Sequence, residues 1–418
     1  AVVVRRYHTF RRWHAYAILV TYFLLVCFGG WGWFVGAELV KGGIVAPGTD
    51  LILLSPLFAG LMLSWAGYHP LERALAFTGF LSSAESFPGR WGYVALQTRH
   101  SFILAAPPLV LMFLQQVILV FWPSLERNQL VFPLVGLGML GTMYAFVPWL
   151  LRLLLGLKPL PPGPLRDQLM ATARRLSFRF NDILVWNTRQ TVVNAMVAGP
   201  LPFLRYVILT DRLIDELTPA EIEAVFGHEV GHIKHHHLLF YFGFLLASLM
   251  AVIGFWTVLT DALANSAVQE WLTDNWPDVD AILNDYQVLS MMPLLAILGV
   301  YIVVVFGYLS RRCERQADIY GCRTVSVPVF VGALEKVARL NGISRDRPGW
   351  VQSWQHSTIA RRIAFLEKMD ADPALEPRFQ RRVGLVKWAM LLTLAILLGA
   401  LAIVEPANVW AVLGKLGN

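Results

Sequence analysis

Charge is scarce in this chain. Only 15% of its 418 residues are Asp, Glu, Lys or Arg, and 56% are hydrophobic, whereas an ordinary soluble domain is about one quarter charged. The shortfall points to a membrane protein. Cysteine is scarcer still: Cys27, Cys313 and Cys322 are the three present. They form no CxxC pair, which excludes a disulfide framework and fits a reducing cytoplasm. No segment repeats at a fixed period. No basic run is interleaved with aromatics, so the net charge of +7 does not read as a nucleic-acid footprint, and no nucleic-acid partner is expected. The first apolar block is too long for a signal-peptide core and lacks a small-residue cleavage site, so no cleavable leader is expected.

What the chain has in quantity is long apolar runs. Seven blocks, near 15–38, 49–67, 102–122, 130–155, 238–260, 288–309 and 385–404, approach or exceed the roughly 20 residues that a helix needs to cross a bilayer. Trp13, Trp31, Trp33, Trp122, Trp149 and Trp256 stand near block ends, where aromatic side chains anchor at the membrane interface. Lys and Arg give the orientation. The segments 1–14, 68–101, 157–237 and 311–383 hold 4, 3, 9 and 14 of the 35 basic residues, while the opposite loops hold Lys41, Arg127 and Lys415. The loop 261–287 is acidic. Positive charge stays inside, so the N-terminus is expected in the cytoplasm and the C-terminus on the other side. Lys387, at the end of the seventh block, reads as a side chain snorkelling to the membrane surface.

Two long polar segments then share the cytoplasmic side, and five regions follow: four spans in 1–156, a catalytic segment 157–237, two spans in 238–310, a second catalytic segment 311–383, and a last span in 384–418. The stretch Lys158-Pro-Leu-Pro-Pro-Gly-Pro164 reads as a linker, its prolines ending the fourth span. Residues 182–187, 191–198 and 203–210 are β-branched and apolar, with turns at Asn187–Gln190 and Gly199-Pro200. They suggest a small sheet whose edge could take an extended peptide by strand addition.

The chemistry lies in TPAEIEAVFGHEVGHIKHHH, residues 218–237. Thr218 reads as an N-cap, Pro219 as a first-turn residue and Glu221 as the capping-box partner. His228 and His232, four apart, share one face of the helix that follows and can bind one Zn²⁺. Glu229 lies about 100° round the helix, placed to act as a base without being a ligand. Gly231 lowers helix propensity by roughly 1 kcal/mol against Ala, which close packing against another element would explain. A catalytic zinc takes three protein ligands. His235, His236 and His237 lie too near along the same helix to complete that set and read as a polar helix end at the membrane surface. The segment RRCERQADIYGC, residues 311–322, supplies a better third ligand. Glu314 would complete a His₂Glu set, and Asp318, one turn on, would accept a hydrogen bond from a ligand histidine and fix its tautomer.

With His228-Glu-Val-Gly-His232, Glu314-Arg-Gln-Ala-Asp318, Val193-Asn-Ala-Met-Val-Ala-Gly199 and His356-Ser-Thr-Ile-Ala-Arg-Arg-Ile363, the chain resembles the membrane zinc metallopeptidases that include the CAAX prenyl proteases and the heat-shock protease HtpX. These are gluzincins, with Glu as the third ligand. The resemblance implies that Asn194 binds substrate backbone, that His356 stabilises the oxyanion and that Arg362 supports the ligand shell. Ser357 stands where the family segment has Pro. Seven spans resemble the prenyl proteases more than HtpX. The expected fold is a predominantly α-helical integral membrane protein with about seven transmembrane helices. It carries a cytoplasmic α+β zinc metallopeptidase domain assembled from two segments, with one Zn²⁺ per chain.

The expected function is peptide-bond hydrolysis in membrane protein quality control or maturation, with Glu229 as base. Two alternatives remain at this point: a CAAX-type enzyme for lipidated substrates, and a non-catalytic scaffold or transporter. Span interiors nearly free of charge disfavour transport.

Overall fold

The computed structural model describes residues 2–36, 48–77, 87–125, 131–190, 192–264, 271, 274–275, 292–346 and 357–404. The chain divides into two compact units. The first comprises Ala1–Leu160, Phe180–Val192 and Leu201–Arg212, and the second comprises Pro161–Arg179, Val193–Pro200 and Leu213–Asn418.

The first unit is built on four long helices: α1 (Val2–Cys27), α2 (Thr49–Phe77), α3 (Arg90–Phe121) and α4 (Val131–Leu155). Helix α1 stops short of the end of its apolar block, and Gly30, at φ +79, turns the chain there. Helices α2 and α3 keep their internal prolines, Pro56 and Pro70 in one and Pro107 and Pro108 in the other. The N-terminal part of α1 meets the C-terminal part of α2 in a buried polar cluster. Tyr7 and Arg11 both hydrogen-bond to Glu72, which is 7% exposed. A short strand, β1 (Lys158–Pro159), then pairs antiparallel with β2 (Asp182–Trp186). The proline-rich stretch therefore begins as a strand, where the sequence suggested only a linker. The register sets Lys158 opposite Val185. Strand β2 runs parallel to β4 (Tyr206–Thr210), with Asp182 opposite Tyr206 and Trp186 opposite Thr210. The turn after β2 is where the sequence placed it. Arg189 and Gln190 take left-handed φ values of 57° and 60°, and the Arg189 amide donates to Asn187 Oδ1 at 2.9 Å.

The second unit holds polar and apolar helices together. They are α5 (Pro164–Arg175), α6 (Pro219–Lys234), α7 (His237–Ala264), α8 (Met292–Tyr301), α9 (Gly307–Thr324), α10 (Val327–Leu340), α11 (Ile359–Ala371) and α12 (Leu375–Val404), with strand β3 (Ala195–Ala198). Helix α8 runs into α9 through a π-helical turn, Ile302–Phe306. Such turns often sit beside functional residues. Helix α5 is anchored on α6 because Glu223 accepts hydrogen bonds from Gln168 and Thr172 at 2.7 Å and from Arg175 at 2.8 Å.

Helices α6 and α9 pack closely, and glycine on α6 makes this possible. A Cβ on Gly231 would lie 2.8 Å from Tyr320 Cβ and 3.0 Å from Ala317 Cα, and Gly227 faces Thr324 in the same way. This close approach is the packing reason for a helix-weakening Gly231. It brings the two motif-bearing helices near enough to share one site.

Among the described residues, two stretches, Leu51–Ala74 and Val135–Leu155, are long and apolar enough to cross a membrane, and Ala105–Phe121 and His237–Ser248 are shorter apolar helical stretches. The expected count of seven is therefore not reached. Helix ends cut the first block, and the sixth block begins outside the described residues.

Candidate metal centre

Helix α6 starts as its sequence dictates. Thr218 Oγ1 accepts the Glu221 amide at 3.3 Å, and Glu221 Oε2 accepts the Thr218 amide at 2.7 Å. Lys336 Nζ adds a contact to Glu221 at 3.0 Å. A helix with so firm a start carries His228 and His232 on one face, with ring centroids 5.0 Å apart. Phe330, 3% exposed, stacks on His228.

Helix α9 presents Glu314 to the same place. One donor atom from each of His228, His232 and Glu314 fits within 4.8 Å of the others. The two Nε2 atoms are 3.3 Å apart, and His232 Nε2 lies 3.5 Å from Glu314 Oε1. Tetrahedral zinc with bonds of about 2.0–2.1 Å needs donors separated by about 3.3–3.4 Å. The third edge, His228 Nε2 to Glu314 Oε2, is longer at 3.9 Å, so the donor set fits such an ion in chemistry and comes within about half an ångström of its spacing.

Around it lies a second layer of polar groups. Asp318, fully buried, has Oδ1 3.0 Å from His228 Nδ1. Arg362 grips the same carboxylate with two nitrogens, Nε donating to Oδ2 at 2.8 Å and Nη2 to Oδ1. Its Nη1 lies 3.7 Å from Glu314 Oε2. Burial alone would raise the pKa of Asp318, but Arg362 and His228 overcome it and hold the carboxyl below its ordinary value. Burial likewise opposes a charged His228, yet the nearby Asp318, Glu314 and Glu229 carboxylates raise its pKa. His232 goes the other way: burial, then His228, push it down to about 4. A neutral imidazole is the form that binds a metal.

Glu229 points to strand β3, where the Val197 amide donates to its Oε2 at 3.2 Å. Asn194 is exposed and immediately precedes β3. The residue before it, Val193, is clamped at both backbone groups by Asn341, whose Oδ1 accepts at 3.1 Å and whose Nδ2 donates at 2.7 Å. His356 lies outside the described residues.

Two features depart from the sequence reading. His237 is not part of a surface helix end: it is fully buried, with Nδ1 3.0 Å from His232 Nδ1. His236 takes a left-handed φ of 54°, which breaks the helix and turns His237 back towards the site. Burial, then His232 and Lys387, push His237 down to about 2. Lys387 does not snorkel away. Its Nζ lies 3.3 Å from Gln316 Oε1 and 3.5 Å from the His235 carbonyl. Nothing in local spacing signals either contact: the first depends on the turn at His236, and the second joins residues 71 positions apart.

The sequence model of peptidase family M48 matches residues 160–370, just over half of the chain, and includes His228, Glu229, His232, Glu314, Asp318 and Arg362. The chain belongs to peptidase family M48. Membership makes it a metallopeptidase, and the matched residues include both α6 and α9. The M48 chain is 23% identical over 358 residues to the CAAX prenyl protease 1 homolog of Oryza sativa subsp. japonica, covering 82% of this chain and 79% of that protein. It is 24% identical over 203 residues to the protease HtpX homolog of Methanocaldococcus jannaschii, covering 46% of this chain and 66% of the other. The crystal structure of S. mikatae Ste24p matches it with a TM-score of 0.50 at 20% identity, over 77% of this chain and 76% of that one, a likeness of fold.

Proposed function

We propose that this M48 metallopeptidase is a membrane-bound endopeptidase that holds one zinc ion on His228, His232 and Glu314 and uses Glu229 as its general base. The observation that carries the reading is the convergence of three donor atoms within 4.8 Å, with the Glu229 carboxylate on the next residue after a ligand. Bound zinc would supply a Lewis acid that polarises the scissile carbonyl and acidifies the attacking water. Glu229 takes the proton from that water and returns it to the leaving amine. The Val197 amide keeps its carboxylate turned to the β3 side, at 3.2 Å. An extended substrate would lie along β3, with Asn194 meeting its backbone. His356 is assigned to the developing oxyanion. Asp318 and Arg362 hold the ligand shell in place.

In this reading the catalytic segments 157–237 and 311–383 face the cytoplasm, between membrane regions 1–156, 238–310 and 384–418, with seven spans. The basic bias of those segments supports it, as do the outward-facing Leu63, Phe121, Leu153, Trp388 and Ile396, each more than half exposed, which suit contact with lipid. Quality control or maturation of membrane proteins is the role assigned. The likeness to a CAAX prenyl protease 1 homolog over most of the chain favours a second reading, processing of prenylated substrates.

Detergent-purified protein is expected to cleave a quenched casein-type substrate, to stop on chelation and to recover on addition of zinc. Hydrolysis indifferent to the chelator would overturn the proposal. A prenylated peptide run beside its unlipidated twin separates the two substrate readings, since faster cleavage of the lipidated member assigns the second.

A further inference from the structure

A run of polar contacts leads from the C-terminal helix to the metal centre, and its direction can be worked out from one end. Lys387 Nζ can only donate. It faces Gln316 Oε1 at 3.3 Å, so that oxygen is an acceptor. The other end of the same amide agrees, because Gln316 Nε2 donates to Gln380 Oε1. His237 Nε2 lies 3.1 Å from Gln316 Oε1 and must therefore carry a proton. A neutral imidazole protonated at Nε2 has a bare Nδ1. That Nδ1 is 3.0 Å from His232 Nδ1, so His232 carries its own proton on Nδ1. The remaining nitrogen of His232, Nε2, is then bare, and it is the atom 3.5 Å from Glu314 Oε1. The alternative, a doubly protonated His237, would set a cation with no exposed surface beside the Lys387 ammonium, at a large desolvation cost.

We propose that His237 is a positioning residue for the metal centre. It accepts the Nδ1 proton of His232 and so leaves His232 Nε2 free to bind the ion, while Gln316, fixed by Gln380 and Lys387 of α12, sets the direction of that hydrogen bond. The inference rests on the reading that His232 is a ligand. Asp318 does for His228 what His237 does for His232, so each ligand histidine has its own orienting partner. The C-terminal helix is thereby tied to the site through Gln316, although it contributes no ligand.

The test is the affinity of the purified full chain for zinc, by competition with a chromophoric chelator, together with the visible spectrum of the cobalt-substituted protein. His237→Leu removes the acceptor and is expected to weaken zinc binding by about 10- to 100-fold and to alter the cobalt spectrum. His237→Asn, whose Oδ1 takes the place of the imidazole Nδ1 and can accept the same bond, is expected to recover most of the affinity. Equal losses in the Leu and Asn variants, or wild-type affinity in the Leu variant, would overturn the proposal. If His237→Leu does not fold, Gln316→Leu against Gln316→Glu makes the same comparison one contact further out. There the Glu variant keeps an acceptor and should bind zinc more tightly than the Leu variant, and equal affinities would overturn the proposal. Wild type that binds no zinc would overturn the ligand reading itself. Tight zinc binding by wild type with no effect of either pair would leave that reading standing and remove only the orienting role.

Discussion

Glu229→Gln is expected to retain its zinc and lose its turnover. Glutamine has nearly the same shape as glutamate, and its side-chain oxygen can still accept the Val197 amide that now donates to Glu229 at 3.2 Å. The donor atoms of His228, His232 and Glu314 are untouched. What disappears is a group able to take a proton. General acid–base catalysis contributes about 10²–10⁴-fold, so kcat should fall by at least about 10² with the metal content unchanged. Rate and zinc are to be measured on the same sample. A variant with full zinc and a kcat within a few fold of wild type would remove Glu229 from the mechanism.

The second large effect concerns stability. Arg362→Leu would leave Asp318, which has no exposed surface, without the guanidinium that grips it at 2.8 Å. Breaking a buried pair from one side costs about 3–5 kcal/mol, and the variant should unfold at a markedly lower temperature than wild type. The pH dependence has a definite sign. The folded-state pKa of Asp318 is held down, so the pair stabilises fully above the unfolded carboxyl value of about 3.9 and loses that contribution as pH falls through the lower folded value. The gap in melting temperature between wild type and Arg362→Leu should be widest near neutral pH and should shrink below about pH 4. A gap that is absent at pH 7, or that grows on acidification, would contradict this account.

The readable parts of this protein are those whose chemistry is local. Thr218, Pro219 and Glu221 announce a helix start because a capping box is complete within four residues. His228 and His232 share a face because helical spacing requires it, and Glu314 and Asp318 share one for the same reason. The strands at 182–186, 195–198 and 206–210 follow from β-branched runs bounded by turn residues. Gly231 stood out in the sequence as a cost without a visible return, and the return is the nearby Ala317 backbone of α9.

The rest depends on contacts that no spacing encodes. His237 reads as one of three histidines at a helix end until His236, at φ 54°, reverses the chain. Asn341 lies 148 positions from the Val193 backbone it holds. Lys387 belongs by sequence to an apolar helix and by structure to the polar contacts that Gln316 makes with His237. Lys158 and Pro159 look like linker because proline dominates the stretch, yet a two-residue pairing with β2 suffices to fix them. Apolar blocks mark where helices form, whereas their ends are set by turns such as the one at Gly30.

The central claim is that His228, His232 and Glu314 together hold one zinc ion, and metal content tests it most directly. Wild type and Glu314→Ala would be purified side by side and analysed for zinc per chain. The account predicts one zinc in wild type and a large loss in the variant, since helix α9 supplies the third ligand through Glu314 alone. One zinc retained in Glu314→Ala, or none in wild type, would contradict it.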